Sequence, residues 1–375
     1  MRFFKIHFLS IVFFTYLTLA SLNVQAGLPI ASQKNTIKIG LLITNNKSVE
    51  ARQGAELSIR KANDTGGVKG IPIELIVRSM EGPWGTGSKQ AVNLIFDENV
   101  WAILGSHDGR NAHLVEQVTT KARVVFLSAW ASDPTLSQAF VPWFFSCVPN
   151  DLQQASSIIE EIYGNRKITE IALVADTGYD SKFALNSFLK RAKLAGKPDP
   201  LQFFYNNSIT DFDGLAYQVK KAGVKCIVLF GQTAASLRII DQIKNIKMNL
   251  PIFGTISVIG EQSLTAQSLK GFEGVSLVSP GELGISNSSD FSREYKKTYG
   301  SFPGLAAAYS FDGMNLIIEA IRDSYPDREK VQKSLAKIQY QGVTGLIQFD
   351  EKGNRVGTPG LIEIKNGVPV AIKKD

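Results

Sequence analysis

Cysteine and histidine are scarce, with 2 and 3 residues in a chain of 375. That scarcity argues against a disulfide-stapled scaffold and against a Cys/His zinc cluster. His107 and His113 stand six apart and lack the i, i+4 spacing that places two imidazoles on one metal. No H-E-x-x-H and no G-x-S-x-G elbow occurs, and no G-x-G-x-x-G follows the first predicted strand. The nearest approach to a phosphate loop is Gly82-Pro83-Trp84-Gly85-Thr86-Gly87-Ser88-Lys89. There Ser88 precedes the lysine, so no hydroxyl follows it to hold magnesium. No metal, no cofactor and no enzymatic activity are therefore expected.

Long apolar runs are also missing after the first few residues. Arg2 and Lys5 precede an apolar stretch from Phe8 to Leu19, and Val24-Gln25-Ala26 then offers small residues ahead of a cut before Gly27. Residues 1–26 read as a cleaved signal peptide. No cysteine follows the stretch to carry a lipid, and beyond Gly27 nothing reads as a membrane-spanning helix. The mature chain is expected to be exported and soluble. Cleavage removes Arg2 and Lys5 and no acid, so a net charge of +7 falls to +5. The remaining lysines, such as Lys220-Lys221, Lys296-Lys297 and Lys373-Lys374, form no stripe with interleaved aromatics. Nucleic acid is not an expected partner.

What is present is a strong alternation of strand and helix. Ile37–Ile43 reads as a buried parallel strand, and residues 49–63 as a helix with Ala55, Ile59 and Ala62 on one face. Further strands are expected at Ile71–Arg78, Trp101–Leu104 and Val124–Leu127, with helices near Ser88–Asn99 and Asn111–Ala122. The rhythm pauses near Phe144–Asn150 and restarts. Helices are expected at Leu152–Tyr163, Ser181–Ala195, Asp213–Ala222 and Ala234–Ile243. Strands at Glu170–Ala175, Gln202–Tyr205, Cys226–Phe230 and Ile252–Gly254 alternate with them. Two helices, Ser289–Tyr299 and Leu305–Asp323, then precede strands at Gly345–Phe349 and Leu361–Lys365. The fold class is α/β, with two doubly wound domains. Cys147 and Cys226 read as separate small core residues.

In a doubly wound sheet, loops at the carboxyl ends of strands converge on the ligand crevice, where helix N-termini suit a carboxylate. Two such loops stand out: Gly105-Ser106-His107-Asp108-Gly109-Arg110-Asn111 and Ser128-Ala129-Trp130-Ala131-Ser132-Asp133-Pro134. Ser132 and Asp133 suit either a helix N-cap or a ligand. Trp84 and Trp130 lie in polar loops, where tryptophan walls a pocket or packs.

Ile37-Lys38-Ile39-Gly40, Ala62-Asn63-Asp64-Thr65-Gly66-Gly67-Val68-Lys69-Gly70 and Lys89-Gln90-Ala91-Val92 open a longer pattern. The paired loops above, Asp176-Thr177-Gly178-Tyr179 and Gln348-Phe349-Asp350-Glu351-Lys352-Gly353 complete it. In order and spacing, these motifs resemble the leucine/isoleucine/valine-binding family of type I periplasmic solute-binding proteins of ABC importers. The resemblance implies two lobes joined by three crossovers, near Ser146–Asp151, Val278–Glu282 and Thr344–Asp350. Residues 27–148 plus 281–345 would form the N-terminal lobe, and 149–280 plus 346–375 the C-terminal lobe. An amino acid or small carboxylate-bearing solute would bind in the cleft of a monomer, which on closing would engage an ABC permease in the inner membrane. The alternative is a periplasmic sensing subunit for a membrane receptor or kinase.

The same resemblance implies ligand contacts from Ala131 and Ser132, with Trp84, Trp130 and Tyr179 as walls and His107, Asp108 and Arg110 tuning selectivity. Two loops depart from the pattern. A usual serine cluster here reads His107-Asp108-Gly109-Arg110, and a loop that usually carries an ammonium-binding acid reads Thr255-Ile256-Ser257. Asp108, Asp180 or Glu261 would have to replace that acid, or the ligand is not a simple α-amino acid.

Overall fold

A computed structural model describes residues 36–138, 141–206, 212–260, 265–279, 281 and 289–373. The expected signal peptide, residues 1–26, and Glu261 lie outside the described residues.

The first half begins with β1 (Ile37–Ile43), α1 (Val49–Asp64), β2 (Ile73–Ser79) and α2 (Thr86–Val92). It continues with β3 (Ala102–Ser106), α3 (Gly109–Ala122), β4 (Val125–Ser128) and β5 (Phe144–Ser146). The five strands form one parallel sheet in the order β2-β1-β3-β4-β5. The continuous apolar run of β1 follows from burial on both faces. Ile39 and Leu41 enter one core with Leu104 and Leu127, while Leu42 enters a second core with Leu94, Ile103 and Phe126. Helix α2 continues through a π turn, Asn93–Asp97, whose Leu94 and Ile95 are buried in that second core.

The second sheet takes α4 (Asp151–Ile159), β6 (Ile171–Asp176), α5 (Tyr179–Leu194), β7 (Leu201–Tyr205) and α6 (Asp213–Lys221). After these come β8 (Cys226–Phe230), α7 (Thr233–Asn245), β9 (Ile252–Gly254), α8 (Ile256–Ile259) and β10 (Val275–Val278). Helices α9 (Asp290–Tyr299) and α10 (Leu305–Ser324) return to the first sheet. Gly54 of α1 faces the Ala307 carbonyl of α10 so closely that a Cβ would collide with it. A small helix, α11 (Val331–Leu335), and a ribbon of β11 (Tyr340–Gly342) and β12 (Gly345–Ile347) follow. Strands β13 (Leu361–Lys365) and β14 (Val368–Ala371) then join the second sheet, whose order is β14-β13-β10-β9-β8-β6-β7. Its β13 and β14 run antiparallel, and its other neighbours are parallel.

The chain therefore passes between the sheets three times. Arg355 stitches the first and third passages together: its guanidinium donates to the carbonyls of Cys147 (2.9 Å), Thr344 (2.6 Å) and Leu346 (3.0 Å). Asp312 of α10 holds the third passage, accepting from the N–H groups of Val343 and Thr344 and from the Thr344 hydroxyl. At Gly281, φ is +80° and a Cβ would strike the Thr344 carbonyl, so only glycine lets the second passage lie against the third. Cys147 and Cys226 are both free and buried.

Candidate functional site

In each sheet the connection reverses beside the first strand, between β1 and β3 in one and between β6 and β8 in the other. Loops leaving the carboxyl ends of strands collect at such a point. The loops after β3 and β4 meet the loop after β6, because α3 and α5 direct their N-termini at one another. Gly109 N–H, the first of α3, donates to Asp180 Oδ1 at 3.0 Å, and Tyr179 Oη donates to Asp133 Oδ2 at 3.0 Å. Adjacent residues of the first turn of α5 thus reach two separate loops of the opposite lobe.

Each loop is built locally. Asp108 caps α3 by accepting from Asn111 N–H at 3.0 Å and from the Asn111 amide at 2.7 Å. Asp133 caps the short 3₁₀ turn Pro134–Ser137 and accepts from the Thr135 N–H and hydroxyl. Asp176 accepts from Gly178 N–H at 2.7 Å, shaping the entry to α5. Ser132 is not a cap. Its hydroxyl donates to Asp151 Oδ1 at 2.7 Å, and its carbonyl accepts from Asp151 N–H at 2.8 Å. Asp151 opens α4, so Ser132 binds directly to the start of the second lobe. Ala131 lies buried beside it, with its N–H donating to Ser128 Oγ at 3.0 Å and its carbonyl accepting from the same hydroxyl.

The electrostatics are dominated by carboxylates. Asp108, Asp133, Asp151, Asp176 and Asp180 all face this junction or lie just behind it. Burial pushes Asp151 well above the usual carboxylate range, with the Ser132 hydrogen bond opposing and the charges of Asp180 and Asp133 adding to the rise. Burial, then the charge of Asp108, lifts Asp180 to about 7. Asp133 goes the other way. Burial alone would raise it, but the hydrogen bonds from His113 and Thr135 more than offset that. His113 Nε2 lies 3.0 Å from Asp133 Oδ2, and this contact, followed by Glu116, raises the imidazole to about 9. His113 is therefore a cation at neutral pH, and it braces the carboxylate that receives Tyr179.

The structure brings together Ser132, Asp108 and Tyr179 from the sequence-predicted set. Trp130 is half-buried against the first core. Trp84 is 66% exposed and lies under the Arg110 guanidinium at 4.1 Å, a stacked pair flanking the N-terminus of α3. His107 turns away from the junction. Its ring stacks on Phe126, its Nε2 rests against Gly105 without a hydrogen-bond partner, and burial lowers its pKa so that it stays neutral. Gln154 holds the Thr255–Ser257 loop by accepting from Ile256 N–H at 3.0 Å. Among the described residues no group of three or more His, Cys, Asp and Glu side chains is arranged to hold a metal ion.

Asp151 and His113 are the functional candidates that sequence reasoning missed. Asp151 directly follows Asn150 and opens α4, where an acid is the ordinary choice for a first helical turn. The partner of His113 lies 20 residues away, across a strand and a loop, so no local spacing marks it.

Two α/β lobes, joined by three strands of chain and meeting through their strand-end loops, define a cleft receptor. A family model described as periplasmic binding protein matches residues 36–362, and the chain belongs to that family. It is 22% identical over 340 residues to the Leu/Ile/Val-binding protein homolog 1 of Brucella melitensis, covering 88% of this chain and 89% of that one. It is also 22% identical to the leucine-, isoleucine-, valine-, threonine- and alanine-binding protein of Pseudomonas aeruginosa, across 81% of each chain. Among solved structures, LivJ of Streptococcus pneumoniae in complex with isoleucine aligns with a TM-score of 0.76 at 20% identity, covering 90% of this chain and all of that one. A solute-binding protein of R. palustris in complex with benzoate aligns at 0.78 and 16% identity, covering 90% of this chain and 96% of that one.

Proposed function

We propose that this protein is the periplasmic solute receptor of an ABC importer, and that it captures an amino acid or a small carboxylate-bearing solute by closing its lobes. The observation that carries this reading is the junction itself: two independent lobes place polar loops and opposed helix N-termini on one cleft, in a member of the periplasmic binding protein family. The relatives' names and the bound isoleucine and benzoate of the aligned structures support a ligand with a carboxylate beside an apolar body. Residues 27–148 plus 281–345 move as one lobe and 149–280 plus 346–375 as the other. The protein acts as a monomer, holds its solute without transforming it, and presents the closed form to a permease in the inner membrane.

Ser132 keeps its oxygen lone pairs for the solute while its proton is spent on Asp151, so it serves as an acceptor for an ammonium or hydroxyl group. Ala131 contributes through the shape of its loop, since Ser128 engages its backbone. Trp84, Trp130 and Tyr179 wall the cleft, and Asp108 and Arg110 set its charge.

Thermal unfolding against a panel of L-amino acids, benzoate and hydroxybenzoates tests the proposal. A true ligand at about 100 times its Kd adds about 2.7 kcal/mol of stability, and Ser132→Ala weakens that ligand by roughly tenfold, the loss of one hydrogen bond of about 1.4 kcal/mol. Chemical conversion of the bound compound, or no stabilisation across amino acids and organic acids, would overturn the reading.

A further inference from the structure

Away from the strand-end loops, the three passages between the sheets border a cavity of about 150 Å³. Each passage contributes to its wall: Pro149 from the first, Ser279 from the second and Thr344 from the third, with Tyr309 of α10 and Arg355 completing it. Two of these side chains are deeply buried polar groups, Tyr309 at 1% exposure and Arg355 at 9%. Groups so placed normally find hydrogen-bond partners. The four N–H groups on the two terminal nitrogens of Arg355 do, but no described residue hydrogen-bonds Arg355 Nε–H or the Tyr309 hydroxyl. Burial raises the pKa of the phenol and keeps it protonated, while the charge of Arg355 pulls the other way, which sets the guanidinium close to it.

What this pair lacks is an acceptor, because Nε–H can only donate and the phenol carries its proton. Negative charge suits it, since Arg355 is a cation with no carboxylate in contact among the described residues. The other titratable groups that act on Tyr309 are Asp312 and Cys147. Asp312 is turned to Val343 and Thr344, and burial pushes the Cys147 thiol up to about 12, so it stays neutral. The Asp312 charge offsets part of the Arg355 charge, which favours a monovalent ion over a divalent one. At about 30 Å³ for each water in the liquid, the space suits a chloride, nitrate or formate ion with a few waters and excludes a sugar acid.

We propose that this cavity binds a small monovalent anion, chloride being the simplest, between the Tyr309 hydroxyl and the Arg355 guanidinium. The anion ties α10 to Arg355, and through Arg355 to the carbonyls of Cys147 and Thr344 on the first and third passages. It therefore restrains the movement of the lobes from a place outside the solute cleft. The restraint rests on the lobe-closure reading above, whereas the binding does not.

The test uses the mature chain with no solute added, in sodium gluconate, with chloride or bromide replacing gluconate at constant ionic strength. Broadening of the chlorine NMR resonance reports bound chloride. Tyr309→Phe keeps the ring and removes one donor, so it should weaken chloride about tenfold, the loss of one hydrogen bond to a charged group. Circular dichroism and the melting temperature in gluconate show that the variant is folded. Crystals grown in bromide should give anomalous density within hydrogen-bond distance of Tyr309 Oη. Spin labels on cysteines introduced at the exposed Lys121 of α3 and Lys190 of α5 report the interlobe distance, the native cysteines being buried. That distribution should narrow as chloride replaces gluconate in the wild type, and less so in Tyr309→Phe. Water alone in the cavity, or equal chloride affinity in the two proteins, would overturn the site. Bromide seated there without any narrowing would overturn its hold on the lobes. No solute or permease enters these measurements, so their failure is separate from a failure of the receptor reading.

Discussion

His113 shows how one side chain of the first lobe prepares a contact made by the second. Its hydrogen bond to Asp133, then its contact with Glu116, raises its pKa from the ordinary 6.5 to about 9, so the stabilisation is fully present below pH 6.5 and is lost as pH rises through about 9. Melting temperature followed from pH 7 to pH 10 should therefore fall more steeply in the wild type than in His113→Gln. Parallel slopes would remove His113 from this role. Asp180 has the opposite chemistry and the same sign. As an acid whose pKa is lifted to about 7 by burial and then by Asp108, it costs the folded state stability once ionised, a cost that grows as pH rises from about 4 through 7. Asp180→Asn should flatten the pH dependence of the melting temperature in that window, and an unchanged slope would remove Asp180 from this role. At this scale the sequence exposed the right loops but not the pairings. Ser132 and Asp133 were recognisable by residue type. Their partners Asp151 and Tyr179 come from the other lobe, and a contact between segments 19 and 46 residues apart leaves no periodic signal.

Elements were more legible where burial on two faces imposed a pattern. Strands β1, β8, β9 and β13 fall on the residues that their apolar runs predict, because each lies inside a sheet covered by helices or flanked by other strands. The unread strands are β5, β10, β11 and β14; β10 is fully buried, but its run Val275–Val278 is four residues long and broken by Ser276, while the others lack an apolar run. Strand β5 has three residues at a sheet edge, where the sequence shows only a pause, and β14 has four residues, mostly exposed, at the opposite edge of the other sheet. The interface of α1 with α10 was invisible for a different reason. Helix contact depends on Gly54 fitting against the Ala307 carbonyl, and a lone glycine in a helix more often reads as a weakness. Gly54→Ala, although favourable by helix propensity, should destabilise the protein by about 1–3 kcal/mol through overpacking. Chemical denaturation measures this directly, and a neutral or stabilised variant would mean that the two helices have room to separate.

At the scale of the whole molecule, the three passages between the sheets decide how the lobes move, and Arg355 is where two of them are tied. A buried guanidinium without a paired carboxylate is unusual. Here its two terminal nitrogens donate to three carbonyls and the Thr344 hydroxyl, all on the passages themselves. Asp312, deep in α10, is raised to about 6, chiefly by burial, with the Thr344 and Val343 hydrogen bonds and the charge of Arg355 opposing. The two side chains thus fix the same short segment from opposite sides, one as donor to its carbonyls and one as acceptor from its N–H groups. Lysine in place of Arg355 keeps the charge but loses the planar fork that reaches several carbonyls at once. Arg355→Lys should cost about 2–4 kcal/mol, the worth of one or two hydrogen bonds to a charged group. It should also broaden the interlobe distance distribution while each lobe keeps its secondary structure. Gly281→Ala, which drives a methyl group into the Thr344 carbonyl from the second passage, should broaden it in the same way. If both variants lost stability yet kept a narrow wild-type distance distribution, the passages would be structural braces only, and the freedom of the lobes would have to reside elsewhere in the chain.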